Sequence, residues 1–414
     1  MYAFRKPFSA ATYHVGDVDF KVILVISQGL GYMISKFTGI KIISEMKEHG
    51  RGKGILILTG IAAVSLFFFA ITPYPYSAVF MFINGLPLGM IWGLVFAYVE
   101  GRRSTEFIGS MMCVSFIFSS GFVKQVGDNL MKNYHVNEYW MPFATGMIFF
   151  LPMVFFVFLL EQLPPPDADD IANRTVRKPM TAEDRKTLLG KFLPGLVALV
   201  ITYALLSIVR DLRDLFIANI WKENGFENVK DVFTSTENII SVIVLFAIGL
   251  MIVIKNNFTA FIVNHFMVAV GFIFAGVSSF LYAHYGTDYM ASHPHLSFYH
   301  SPVFFWMLFA GLGLYLAYVP FNALFFERLI AAFKYTANVG FLIYIADSFG
   351  YLGSISVLLF KTFGMKQQMQ WSPFMASLIT GASAIGLAGI ILSFFYFNWK
   401  YKSDKIEELP TPVE

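Results

Sequence analysis

Charge is scarce in this chain of 414 residues: Asp, Glu, Lys and Arg together make up 14% of it, against about a quarter of a typical soluble domain. Cysteine is scarcer still. The single Cys113 lies in an apolar run, which excludes an intrachain disulfide and leaves no thiol pair for redox chemistry. The sequence also lacks a phosphate-cradling glycine loop, a zinc-ligand spacing and a nucleophile–base pair. Its histidines cluster loosely at His293, His295 and His300. Pro294 interrupts that group and no cysteine is near, so no metal site is expected there. No hydrophilic stretch is long enough for a soluble catalytic domain. An enzyme is therefore the least expected class, and neither a cofactor nor nucleic acid is expected as a partner. The start, MYAFRKPFSAATY, carries its charges inside rather than ahead of an apolar stretch and does not read as a cleavable signal.

What the chain has in abundance is apolar surface: 57% hydrophobic residues, 18% aromatics and a mean hydropathy of +0.62. Apolar runs of about 20 residues, the length that crosses a bilayer, recur throughout. The sequence therefore predicts an all-α, multi-pass membrane protein whose surroundings are lipid. Clean spans are expected at 20–44, 54–72, 77–99, 106–127, 139–161, 192–221, 232–254, 258–284, 301–326, 337–360 and 373–398. Ahead of them, Tyr2, Arg5, Lys6, Ser9 and Tyr13 fall on one helical face in a segment too short to span. It reads as the second half of a first transmembrane helix, the alternative being a short interfacial anchor. Counted with it, the spans number twelve.

The charged, proline-led stretch Gln162–Gly190, opening LPPPDADD, divides the chain into a first bundle (1–161), a linker (162–190) and a second bundle (191–414). Within it Thr181 to Asp184 reads as a capping box. Basic residues concentrate in one set of loops, among them Lys47, Arg51, Arg102, Arg103, Arg177, Lys178 and Lys400. The opposite loops hold Lys132, Lys222, Lys230, Lys361 and Lys366, so the linker and the C-terminus are expected on the cytoplasmic side. An internal repeat supports two halves: NGLPLGMIWGLVFAYVEGRR in the fourth span matches AGLGLYLAYVPFNALFFERL in the tenth in its Gly-Leu-x-Leu start and its Glu-Arg end.

The stretch Tyr203–Asn219, YALLSIVRDLRDLFIAN, places Arg210, Asp211, Arg213 and Asp214 inside an apolar helix. On an insertion scale each charge costs ~2.5–3.5 kcal/mol at mid-membrane, and the flanking aliphatics return only ~0.3–0.6 kcal/mol apiece. The charges must be paired, face a watery cavity, or both. Tyr203, Ser207, Arg210 and Asp214 share one face, like the lining of a pathway, with Asp211 and Arg213 beside it. Two readings stay open: a functional charge cluster, or an Arg210–Asp214 pair that staples helices together.

Twelve helices in repeated halves with a long central loop resemble the major facilitator superfamily. Four places in the chain resemble its organophosphate:phosphate antiporters, the glycerol-3-phosphate and hexose-phosphate transporters. MYAFRKPFSAA matches that family's tyrosine, then Arg-Lys and an aromatic, placing Tyr2, Arg5 and Lys6. YALLSIVRDLRD matches the segment with the second substrate arginine, Arg210. GYMISKFTGIKIISEMKEHGRGKG places Lys36, Glu45 and Arg51, and FGYLGS places Tyr351. The RKPF, SQGLGY and NGLPLGM strings also resemble an uncharacterised group of bacterial membrane proteins. Departures from the antiporters are Lys124 where they carry a histidine, and the carboxylates beside Arg210.

The resemblance implies a secondary active transporter in a bacterial inner membrane, monomeric, carrying a small organic anion such as a phosphorylated metabolite in exchange for phosphate. Arg5 and Arg210 would bind the anion, because guanidinium forks suit oxyanions and stay charged. Lys6 and Lys36 would raise the positive potential, and Tyr2 and Tyr351 would donate hydroxyl contacts. Asp211, Arg213 and Asp214 would serve coupling, with Asp211 and Asp214 pairing with the arginines in the empty site. Asp347 is expected to bridge to Lys124, to be hydrogen-bonded structurally, or to carry a proton. Lys124 itself either joins such a pair or snorkels. Glu45 and Arg51 are expected to latch a cytoplasmic loop, and Tyr315 and Tyr318 to sit in the core. The alternatives are a receptor of this fold that senses a phosphorylated metabolite, and a transporter of an unrelated solute.

Overall fold

The structure, a computed structural model, describes residues 1–15, 18–45, 50–99, 105–164, 182–229, 231–293, 295–333, 335, 339–364 and 369–407. Long helices follow the apolar runs: α1 (Phe20–Glu45), α2 (Arg51–Ile71), α3 (Ser77–Val99), α4 (Thr105–Tyr134), then the broken pair α5 (Met141–Ile148) and α6 (Phe150–Glu161). Beyond the linker come α7 (Ala182–Glu223), α8 (Glu237–Ile252), α9 (Asn257–Leu281), α10 (Pro302–Pro320), α11 (Val339–Leu359) and α12 (Trp371–Glu407). Ten of these elements are long and apolar enough to cross a membrane, and the bent α5–α6 pair makes an eleventh. Each coincides with an expected span. Residues 165–181, most of the linker and Thr181 of the expected capping box, lie outside the described residues, as do Glu100 and Arg102 of the repeat.

Prolines mark the irregularities. Pro152 has no N–H for the carbonyl of Ile148, and the chain bends by 42° between α5 and α6 at that point. After Pro320 the tenth span widens into a π-turn, Phe321–Phe325, before resuming as Phe326–Ala332. The N-terminal segment departs from the expected half helix for the same reason. It forms two 3-10 turns, Tyr2–Phe4 and Pro7–Ala10, because Pro7 has no N–H for the carbonyl of Ala3 and cannot continue an α-helical ladder. It is nevertheless buried along most of its length and packs against α2, α4, α5 and α7, where a helix of the bundle would stand. A two-residue hairpin, β1 (His14–Val15) with β2 (Val18–Asp19), then leads into α1.

Helices before and after the linker pack together: α1 on α11, and α4 on α8, on α10 and on the π-turn that continues it. Within the first bundle α3 lies against α1 and α2, and within the second α10 lies against α8 and α9. Glycines within the Gly-Leu-x-Leu stretches allow a close approach on each side. Gly85 of α3 meets the backbone of α1 at Gln28, and Gly313 of α10 meets the backbone of α9 at Gly271, so a side chain at either would force the pair apart, whereas Gly311 faces the ends of the Arg213 and Ile240 side chains. The helix α7, 42 residues long, runs through the centre against α10, α11 and α12. At ~1.5 Å per residue it spans about 63 Å, twice a bilayer core, so its first turns stand outside on the linker side.

Candidate functional site

The centre of the bundle is charged. Arg5, Lys6, Lys36, Lys124, Arg210, Asp211, Arg213, Asp214, Glu237 and Asp347 are each at least nine-tenths buried. On α7, Tyr203 and Arg210 meet Tyr318 of α10, and Asp214 meets Lys6 of the N-terminal turns and Lys124 of α4.

Three layers can be distinguished along α7. Toward the linker end, Lys36 of α1 forms an ion pair with Asp347 of α11 at 2.8 Å, and Tyr203 donates its hydroxyl to the other oxygen of that carboxylate. Tyr318 and Asn322 continue the network at 3.0 and 3.2 Å from the Tyr203 hydroxyl. The Lys36 ammonium is surrounded by the rings of Tyr344, Tyr32 and Trp92.

In the middle lie the two arginines. The Arg5 guanidinium stacks on Tyr32, 3.7 Å from the ring centre, and contacts the Tyr351 hydroxyl at 3.4 Å. Arg210 stacks on Tyr318 at 4.1 Å and pairs with Asp211 at 3.0 Å. Tyr2 lies within electrostatic reach of both. Among the described residues no carboxylate is within ion-pair distance of Arg5, and the Nε of each arginine is buried without a hydrogen-bond partner.

Toward the far end, Asp214 receives Lys6 at 2.5 Å on one oxygen and Lys124 on the other, with Ser120 donating at 2.6 Å. Beside it Arg213 pairs with Glu237 at 2.9 Å and donates to the Met307 carbonyl at 2.8 Å. Lys6, Arg210, Asp214, Tyr2, Tyr315 and Tyr318 line a cavity of about 10 Å³, room for one water. A vestibule of about 210 Å³ opens beyond it between the bundles, lined by Asp128, Lys132, Glu138, Lys222 and Glu227.

Several pairings differ from those expected. Arg210 does not bond Asp214, its i+4 neighbour, and Asp214 does not pair with an arginine. Two ammoniums in a low dielectric need an anion more than Arg210 does, which already holds Asp211. Asp347 bridges to Lys36, not to Lys124, and Lys124 does not snorkel: it is 1% exposed and inside the far cluster. Tyr315 and Tyr318 are buried yet line the cavity. Arg51 donates to the Ala97 carbonyl at 2.9 Å and stays within the first bundle, and the side chain of Glu45 lies outside the described residues. His293 and His300 make local contacts at the surface, and no group of metal-ligating side chains occurs among the described residues. Sequence reasoning missed Glu237, Ser120 and Tyr32. Glu237 alone left a signal, as a carboxylate at the head of an apolar run.

An all-helical bundle of these spans around a buried charged seam is the fold of the major facilitator superfamily. Solved structures share it over nearly the whole chain. One is described as a bacterial homologue of the human drug peptide transporters PepT1 and PepT2 (TM-score 0.57, 12% identity, covering 97% of this chain and 96% of that one). Another is the proton:xylose symporter XylE bound to 6-bromo-6-deoxy-D-glucose (TM-score 0.54, 16% identity, 96% and 90% covered). A third is the human organic anion transporter MFSD10, or TETRAN (TM-score 0.55, 13% identity, 90% and 83% covered). By sequence the chain belongs to DUF5690, a family of unknown function, whose profile matches residues 7–400. No curated protein matches it significantly.

Proposed function

We propose that this protein is a secondary active transporter that carries a small organic anion, a phosphorylated metabolite, across the membrane by alternating access and in exchange for inorganic phosphate. One observation carries the reading: Arg5 and Arg210 each lie on a tyrosine face beside the cavity with a buried Nε that nothing in the protein satisfies. The Nε of Arg213 is buried in the same way, but unlike Arg213 the Arg5 guanidinium has no carboxylate within ion-pair distance among the described residues. A buried unpaired donor on a charged group costs several kcal/mol, so a stable arrangement of two such groups favours an oxyanion partner. The charge balance supports the same partner. Arg5, Lys6, Lys124 and Arg210 face only Asp211 and Asp214, a surplus of two positive charges, whereas Lys36–Asp347 and Arg213–Glu237 each cancel.

In this reading Arg5 and Arg210 clamp the anionic group, Tyr2 and Tyr351 donate to it, and Lys6 supplies potential from the cavity wall. Residues 1–161 and 191–414 rock about the site, with residues 162–190 as the cytoplasmic linker. The protein works as a monomer in a bacterial inner membrane. With room for one water, the cavity is too small for an organic phosphate, so substrate enters by parting the layers.

The test is exchange of labelled phosphate into proteoliposomes preloaded with phosphate. Wild-type protein should exchange, organic phosphates should compete, and Arg5→Gln or Arg210→Gln should each reduce the rate about 10- to 100-fold, as expected when a charged hydrogen bond is lost. Phosphate binding without any exchange would support a sensor instead. Unimpaired exchange in both variants would remove the two-arginine site.

A further inference from the structure

The anion reading uses the charges of the cavity and leaves most of its rings without a task. On α4, Cys113, Phe116 and Ser120 follow one another at i, i+3 and i+7, so they share a face, and all three line the cavity. That face is polar at Ser120, which is committed to Asp214, and turns apolar toward the start of the helix. The ring of Tyr2 stacks on Phe116, with centres 5.4 Å apart and planes 19° from parallel. From α10 the same cavity receives Tyr315 and Tyr318. Aromatic rings therefore reach it from residues before the linker and from residues after it. Tyr318 already carries the Arg210 guanidinium. Tyr315 is 5% exposed, yet among the described residues its side chain makes no ring contact and no hydrogen bond. Its face and its hydroxyl are both open to whatever enters.

The polar groups beside these rings are few. Asp211 is engaged by Arg210, and Asp214 by two lysines and Ser120. A thiol, Cys113, is a weak donor. A sugar buried here would strand most of its hydroxyls, each at a cost. A flat apolar ring needs no such partners and gains from every ring face it meets.

We propose that the carried anion is a phosphate ester bearing a planar aromatic ring. Its phosphate lies on Arg5 and Arg210, and its ring slots between the Tyr2–Phe116 pair and Tyr315, which makes Phe116 and Tyr315 the residues that set specificity. This rests on the anion-carrier reading, and the experiment separates the two.

The assay is exchange of labelled phosphate in proteoliposomes, with phenyl phosphate, glycerol 3-phosphate and glucose 6-phosphate as competitors. All three carry an ionised phosphate, so differences among them read the organic part. In wild-type protein phenyl phosphate should compete at a concentration at least about 10-fold lower than either of the others. Phe116→Leu keeps an apolar side chain but removes the ring, and should shrink that preference about 3- to 10-fold. Tyr315→Leu should act in the same direction, and Phe116→Tyr should keep the preference. The ratio between competitors is the readout, because a merely structural loss would weaken all three alike. Glucose 6-phosphate competing as well as phenyl phosphate, or a preference that Phe116→Leu leaves intact, overturns the ring site and leaves the anion carrier standing.

If phosphate is not exchanged, the carrier reading falls and the thermal unfolding midpoint decides the ring site. A larger rise with phenyl phosphate than with glucose 6-phosphate, lost in Phe116→Leu, keeps it as the site of a receptor. Equal or absent shifts remove it.

Discussion

The two charged layers on either side of the arginines are built from the same residue types and balanced differently. Near the linker, Lys36 and Asp347 match one to one across the seam between the bundles, and Tyr203 supplies a second donor. Toward the far end, Asp214 serves Lys6 and Lys124 together. Opening the first layer separates a neutral pair into two charges. Opening the second redistributes a charge that was never balanced. The near layer is therefore a fastener, and the far layer is sensitive to any ion that enters beside it.

The largest expected effect breaks the far layer. Asp214→Asn strands two buried ammoniums and should lower unfolding stability by about 3–5 kcal/mol, the cost of an uncompensated buried charge, read by denaturant titration in detergent. Adding Lys124→Met should recover little, since Lys6 is still unpaired. The near layer should behave otherwise. Lys36→Met alone should cost about 3 kcal/mol, while Lys36→Met with Asp347→Asn should recover most of it, because removing both partners leaves no charge behind. Equal recovery in the two layers would erase the distinction. The smallest effect lies at the vestibule rim. Lys132 pairs with Asp128 at 3.1 Å but its side chain is 43% exposed, so Lys132→Ala should change stability by no more than about 0.5 kcal/mol.

The spans were legible because each is one apolar run of about 20 residues. Arg210, Asp211, Arg213 and Asp214 announced themselves by their cost in an apolar segment. Their partners did not. Lys36 and Asp347 stand 311 residues apart, and nothing local in either records the other. The i,i+4 spacing of Arg210 and Asp214 pointed to a contact that helix geometry permits but that competition from the lysines removes. Tyrosines are common throughout the chain, so the stacking of Arg5 on Tyr32 left no sequence mark. The half-helix expectation failed at Pro7, where polar spacing outweighed a backbone that cannot keep α geometry.

Both layers and one of the arginines are anchored on α7, with Tyr203 and Asp214 eleven residues, about 16 Å, apart along it. A stiff rod pinned near Arg210 behaves as a lever with short arms. Tilting it by roughly 10° shifts one end against the other by about 3 Å, the full length of an ion-pair contact. Whatever loosens Asp214 from its lysines also strains the Tyr203 hydroxyl against Asp347, so the two ends of the pathway have a mechanical connection in a single piece of backbone.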